Sequence, residues 1–148
     1  MKSCLRLLKD SGELAVLSFK LSFKMEIEYS KKVIQYFKNP KFARIPKHVN
    51  AEAKVGNIVC GDEIKIFLYI ENGKIEDIGY KTFGCAAAIA SSEALCRLVK
   101  GKSVKEAKKI TPKKILEHLG KLPKFKYHCL TMVVQALKNA IENYEKLS

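Results

Sequence analysis

Long apolar runs are missing from this chain. Its apolar stretches fall well short of the ~20 residues that a membrane span needs, and Lys, Asp or Glu interrupts them throughout, which excludes a membrane protein. Acidic residues are scarce. Only 15 Asp and Glu stand against 28 Lys and Arg, a net charge of +13, and this imbalance favours acidic partners without naming one. Closely spaced cysteines are lacking too. Cys4, Cys60, Cys85, Cys96 and Cys129 are odd in number and widely scattered, so a small disulfide-stapled domain is excluded and a reducing, cytoplasmic setting is expected. Neither an internal repeat nor a low-complexity segment occurs. Residues 1–24 make a poor signal peptide, because Asp10, Glu13, Lys20 and Lys24 break any apolar core and no small-residue cleavage site follows.

What remains is the composition of an ordinary globular domain, 47% hydrophobic and 29% charged over 148 residues. Residues 1–24 read as a disordered N-terminal extension or an upstream mis-start, and residues 25–148 as the folded domain. Ser30 caps a short helix with Val33, Ile34 and Phe37 at helical spacing, and Asn39-Pro40 stops it. Residues 41–53 look like connection. From Lys54 the period becomes two: Ile64, Ile66, Leu68 and Ile70 alternate with Lys65, Phe67 and Tyr69, the pattern of a strand with one packed face. Asn72-Gly73 supplies a tight hairpin turn and residues 74–83 return as the next strand. With residues 54–59 as the first strand, the expectation is a three-stranded antiparallel meander.

The second half reads as helical. AAAIASSEALCRLVK is rich in helix formers and meets Gly101. Ser103 and Glu106 form a capping box, Thr111-Pro112 opens another short helix that Gly120 ends, and Leu130, Val133, Val134, Leu137, Ile141 and Tyr144 stripe a long terminal helix. Strands followed by helices predict an α+β domain with the helices on one face of the sheet.

Three cysteines sit at joints between elements. Cys60 precedes Gly61 and Asp62 at the mouth of a strand; Cys85 follows Gly84 where a strand gives way to the Ala-rich helix; His128 and Cys129 open the terminal helix. If the joints converge at one end of the sheet, Cys60, Asp62, Cys85, His128 and Cys129 face one point and form a metal site. Thiolate is the ligating form of cysteine, and a helix N-terminus lowers a thiol pKa, which is expected for both Cys85 and Cys129. Soft sulfur with a harder carboxylate or imidazole suits zinc or an iron-sulfur cluster. Five ligands for four positions favour exchange over storage. Cys96, mid-helix, reads as core packing, Cys4 as a passenger, and His48 and His118 as solvated or packing residues.

At these residues the chain resembles the scaffold proteins of iron-sulfur cluster assembly, the IscU and NifU N-terminal family. The resemblance rests on YSKKVIQYFKNP, VGNIVCGDEIKI, GKIEDIGYKTFGCAAAIASSEAL, VKGKSVKEA and the Lys-x-His-Cys of Lys126 to Cys129, and it covers residues 27–147. It implies a SufE/NifU-like scaffold that is not an enzyme. Such a scaffold takes sulfur from a cysteine desulfurase and iron (Fe2+) from a donor, builds a transient [2Fe-2S] cluster and passes it to apo iron-sulfur proteins; the sequence leaves the oligomeric state open, a homodimer included. It also implies Cys60, Asp62, Cys85, His128 and Cys129 as ligands, Cys129 as sulfur acceptor and Lys126 as a flanking lysine. Family members served by a specialised Hsp70 carry LPPVK before His-Cys; here Leu122 to Lys126 read LPKFK, which argues against that chaperone. The basic stretch 97–126, with Lys105, Lys108, Lys109, Leu122, Pro123 and Lys124, is the expected partner surface. Three alternatives stand beside this reading: a zinc-dependent (Zn2+) sulfur-transfer acceptor, a structural zinc domain and a nucleic-acid-binding protein. The last rests on eleven Lys or Arg against Glu106 and Glu117 in that stretch, with no accompanying nucleic-acid motif.

Overall fold

The computed structural model describes residues 29–57 and 61–147. The element order is α1 (Lys31–Lys38), β1 (Ala51–Asn57), β2 (Asp62–Glu71), β3 (Lys74–Phe83), α2 (Ala86–Val99), α3 (Val104–Ala107), α4 (Pro112–Leu119), a 3-10 turn (Lys124–Lys126) and α5 (Tyr127–Leu147). The three strands form one antiparallel sheet in the order β1-β2-β3. Between β2 and β3, Asn72 (φ 55°) and Gly73 (φ 73°) take the left-handed conformations that a tight hairpin demands. Local capping works as the sequence requires. Ser30, Ser103 and Thr111 accept from the amides of Val33, Glu106 and Lys114 respectively, satisfying donors that a helix N-terminus leaves open.

Ile64, Ile66, Leu68 and Ile70 are 0–2% exposed and form the face on which the helices pack. Helix α5 lies over β1 and β2, while α2 contacts α1, α4, α5 and β3. The opposite face is largely charged: diagonal ion pairs Lys54–Glu63 and Lys65–Glu52 offset the direct juxtaposition of Lys54 and Lys65 across the strands.

Two local expectations are corrected. The first strand is Ala51–Asn57, so residues 51–53 are sheet and not connection. The pattern reading passed over Ala51 and Ala53, whose short side chains are buried and let α5 approach closely. Phe67, expected on the open face, is only 4% exposed. Its cross-strand partner is Gly79, where a side chain would strike the Arg44 carbonyl and sit 2.9 Å from Pro46. The segment Phe42–Pro46 therefore runs against β3, and the Phe42 carbonyl accepts from the Tyr80 amide at 3.0 Å.

Within this frame Glu93 is fully buried. Its carboxylate accepts from the Phe42 amide (2.9 Å), the Tyr80 hydroxyl (3.3 Å) and the Arg97 guanidinium (3.2 Å). A buried charge persists only when it is paired and hydrogen-bonded in this way. Because Glu93 stands two turns along the helix that begins beside Cys85, this knot fixes how α2 meets β3.

Candidate metal centre

Asp62 opens β2, opposite Asn57 of β1. Gly61 before it has φ +73°, so a left-handed turn delivers the chain to the strand. The Asp62 side chain is 7% exposed. Cys85 is the N-cap of α2, and His128 and Cys129 occupy the first turn of α5, where Cys129 is fully buried. These three joints meet at one end of the sheet. Asp62 Oδ2 lies 3.4 Å from His128 Nε2 and 3.6 Å from Cys129 Sγ; His128 Nε2 lies 3.5 Å from Cys129 Sγ, and Cys129 Sγ 3.9 Å from Cys85 Sγ.

These spacings have a chemical meaning. A tetrahedral ion with N and O ligands at ~2.1 Å and sulfur at ~2.3 Å sets its ligand atoms about 3.4–3.8 Å apart. Asp62, His128 and Cys129 match three corners of such a polyhedron, their ligand atoms all within 4.8 Å of one another, and Cys85 stands beside the sulfur corner. The His128 ring is oriented for this. Its Nδ1 lies 3.0 Å from the Phe125 carbonyl, which accepts an N–H and so assigns the lone pair to Nε2, the atom facing Asp62 and Cys129. A ligating histidine is held in just this manner by its second nitrogen.

The two thiols differ sharply. Cys85 is drawn down to about 5, first by the hydrogen bond from Cys129 and, against the cost of burial, by the Ala88 amide and the Lys126 ammonium. Cys129 moves the other way, against the expectation for a thiol near a helix N-terminus. Bonding to the Cys85 sulfur, burial and the neighbouring Asp62 carboxylate hold its proton in place. We assign the thiolate to Cys85 because Lys126 and an amide face it, whereas a carboxylate faces Cys129. For Lys126, desolvation disfavours the charge, but the Cys85 sulfur outweighs it and raises the pKa.

Of the expected ligands, the structure thus brings Asp62, Cys85, His128 and Cys129 together, while Cys60 and Cys4 lie outside the described residues. Cys96 is fully buried in the core, and its thiol is pushed up by burial. His118 accepts from or donates to the Tyr36 hydroxyl at 2.9 Å, and His48 packs on Tyr69 with ring centroids 5.5 Å apart. Neither faces the centre. Leu122, expected at the partner surface, is 4% exposed and belongs to the core; Pro123 is half-buried and Lys124 exposed. Lys108 is engaged by Glu145, whereas Lys105 and Lys109 are exposed and make no ion pair among the described residues. Sequence reading missed the Phe125 carbonyl behind His128 and the electrostatic pairing of the Lys126 ammonium with the Cys85 sulfur, which have no local signature beyond the short turn before His128. No described helix is long and apolar enough to cross a membrane.

The chain is similar to known proteins over most of its length. The chain is 44% identical over 116 residues to the iron-sulfur cluster assembly scaffold protein IscU 1 of Archaeoglobus fulgidus, covering 78% of this chain and 76% of that one. It is 40% identical over 122 residues to the iron-sulfur cluster assembly scaffold protein IscU of Aquifex aeolicus, covering 81% and 78%. The fold matches the N-terminal part of a nitrogen-fixing NifU-like protein from Brucella abortus with a TM-score of 0.64 at 19% identity, over 82% of this chain and 96% of that one. The pattern of the NifU-like N terminal domain matches residues 28–148, and the chain belongs to that family.

Proposed function

We propose that this protein is a scaffold for iron-sulfur cluster assembly. It receives iron and desulfurase-derived sulfur, holds a transient [2Fe-2S] cluster as cargo and passes it to apo-proteins; residues 25–148 are the scaffold domain. The observation that carries the reading is the meeting of a carboxylate, an imidazole and two thiols at the joints of β2, α2 and α5. Cys60, Asp62, Cys85, His128 and Cys129 are the proposed ligands. Two relatives named as assembly scaffolds, each similar over more than three quarters of its length, support it. We place sulfur acceptance at Cys129. It is the buried partner of the Cys85 thiolate, so it must lose its proton to take part.

Asp62 makes the cargo labile in this scheme. A carboxylate is harder than thiolate, binds iron less covalently and leaves more readily, and His128 stands 3.4 Å away to replace it. Partners meet the exposed side chains that flank the ligands in sequence, Phe83 (69%), Phe125 (67%) and Tyr127 (38%), together with Lys105, Lys109, Pro123 and Lys124.

A second reading is a zinc-bound sulfur-transfer acceptor, favoured by the fit of the Asp62, His128 and Cys129 spacings to a single tetrahedral ion. Anaerobic reconstitution with iron and sulfide separates the two. Visible charge-transfer bands that vanish in Cys60→Ser, Cys85→Ser and Cys129→Ser, but survive in Cys96→Ser, are the scaffold's signature. Tight zinc binding with no such bands would favour the second reading. Asp62→Ala is expected to form a cluster yet transfer it more slowly to an apo-ferredoxin, and equal or faster transfer would defeat the exchange scheme.

A further inference from the structure

Two glycines border Asp62, and they serve different ends. Gly61 has φ +73° and open space where a side chain would stand, so it is there for its conformation. Gly84 is the reverse. Its backbone lies outside the left-handed region, which leaves any residue conformationally acceptable, yet a Cβ built on it would stand 2.7 Å from Asp62 Oδ1, 3.1 Å from Asp62 Cγ and 3.1 Å from the Ala88 Cβ.

We propose that Gly84 is a positioning residue for Asp62: the side chain it lacks leaves the space in which the carboxylate sits while its other oxygen faces His128 and Cys129. The inference rests on the reading of Asp62 as a ligand and extends it to a residue that offers no ligand atom. Of the two groups an added methyl would meet, Ala88 has little freedom to yield. It is fully buried, and its amide bonds the Cys85 carbonyl at 3.0 Å in the first turn of α2. Asp62 presents the end of a rotatable side chain, so it is the carboxylate that moves. A displacement of about half an ångström or more exceeds what a ligand constellation tolerates. Because Oδ1 and Oδ2 share one carbon, a push on the oxygen beside Gly84 also moves the oxygen 3.4 Å from His128 Nε2 and 3.6 Å from Cys129 Sγ.

The test uses Co2+ as probe with the full chain and four proteins: wild type, Gly84→Ala, Asp62→Ala and the double variant. Co2+ affinity, the visible ligand-field bands and the near-ultraviolet sulfur-to-cobalt charge-transfer bands are recorded, with thermal unfolding of each metal-free protein. Gly84→Ala is expected to weaken Co2+ about 10- to 100-fold, the range for lost outer support of a ligand, and to shift its bands toward those of Asp62→Ala. In the Asp62→Ala background the same substitution should change affinity by less than about twofold, because the group it displaces is gone. An equal loss in both backgrounds would mean that Gly84 acts through the β3–α2 joint in general and would overturn the proposal. So would unchanged Co2+ binding in Gly84→Ala while Asp62→Ala weakens it. If Asp62→Ala itself leaves affinity and spectrum untouched, the ligand reading fails and the inference falls with it. Should Gly84→Ala not fold, the unfolding data decide. The double variant is expected to regain the fold, and failure in both backgrounds counts against the proposal.

Discussion

In metal-free protein at pH 6, Cys85 should already react as a thiolate. With a pKa of about 5 it is ~90% ionised at that pH and essentially fully ionised at pH 8, whereas an ordinary cysteine near 8.5 goes from ~0.3% to ~24%. Alkylation of Cys85 by iodoacetamide should therefore change by only ~10% between pH 6 and pH 8, against a rise of about 80-fold for an ordinary thiol. The plateau itself is modest, since nucleophilicity falls with basicity along a slope of ~0.4–0.5; the diagnostic is the flat profile, not a high rate. Peptide mapping by mass spectrometry, with chelator present, assigns the modified sulfur. Cys129 and Cys96, both fully buried, should resist the reagent in the folded protein. Cys129→Ala, which removes the hydrogen bond that contributes most to the shift, should move the rise in rate to higher pH, and Lys126→Ala should do so by less. A Cys85 rate that climbs tenfold per pH unit through this window would refute the charge assignment. Measurable alkylation of Cys129 at a pH-independent rate would reverse it.

Three further outcomes follow from the same structure. Glu93→Ala deprives Arg97, the Phe42 amide and the Tyr80 hydroxyl of their acceptor and should cost about 3 kcal/mol in urea unfolding, the lower end for a broken buried pair because Arg97 keeps 29% exposure; a loss under about 1 kcal/mol would show that the hub does not hold α2. The His118 pKa is lowered by burial, then by Lys32 and Arg97, so the unfolded chain binds its proton first and stability drops as pH falls through the unfolded value near 6.5 and below. His118→Gln should therefore narrow the stability difference between pH 7.5 and pH 5, and an unchanged difference would contradict this sign. Charge reversal at Lys105 and Lys109 should weaken binding to an acidic desulfurase surface, and added salt should do the same as the Debye length shortens from ~10 Å at 0.1 M to ~3 Å at 1 M. Salt-independent binding would remove the basic stretch from the interface.

Whatever depends on neighbours along the chain was legible in the sequence. Ser30, Ser103 and Thr111 cap because each reaches an amide three residues on. Asn72-Gly73 turns because both residues adopt positive φ. The Ile64 to Ile70 alternation places one face inward, and the joint cysteines with Asp62 and His128 announce metal chemistry by residue type alone. The family resemblance was legible for the same reason, since it rests on short strings with set spacing.

Tertiary structure decided what those strings could not. Ala51 and Ala53 are strand because α5 covers them; Phe67 is buried because its partner across the sheet is a glycine beside the Arg44–Pro46 segment; Leu122 is core and Lys108 is engaged by Glu145. At the centre, residue type predicted two activated thiols, and packing made one. Cys85 and Cys129 stand at similar helix starts, but Lys126 faces the first and Asp62 the second, and that difference arises only when β2, α2 and α5 are brought to one point. Gly84 is the same lesson in steric form. In sequence it is one glycine before a cysteine, and its role depends on the carboxylate that the β2–β3 register sets against it, 22 residues away along the chain. Electrostatic fields and excluded volume act through space, so they become determinate only after the chain has closed.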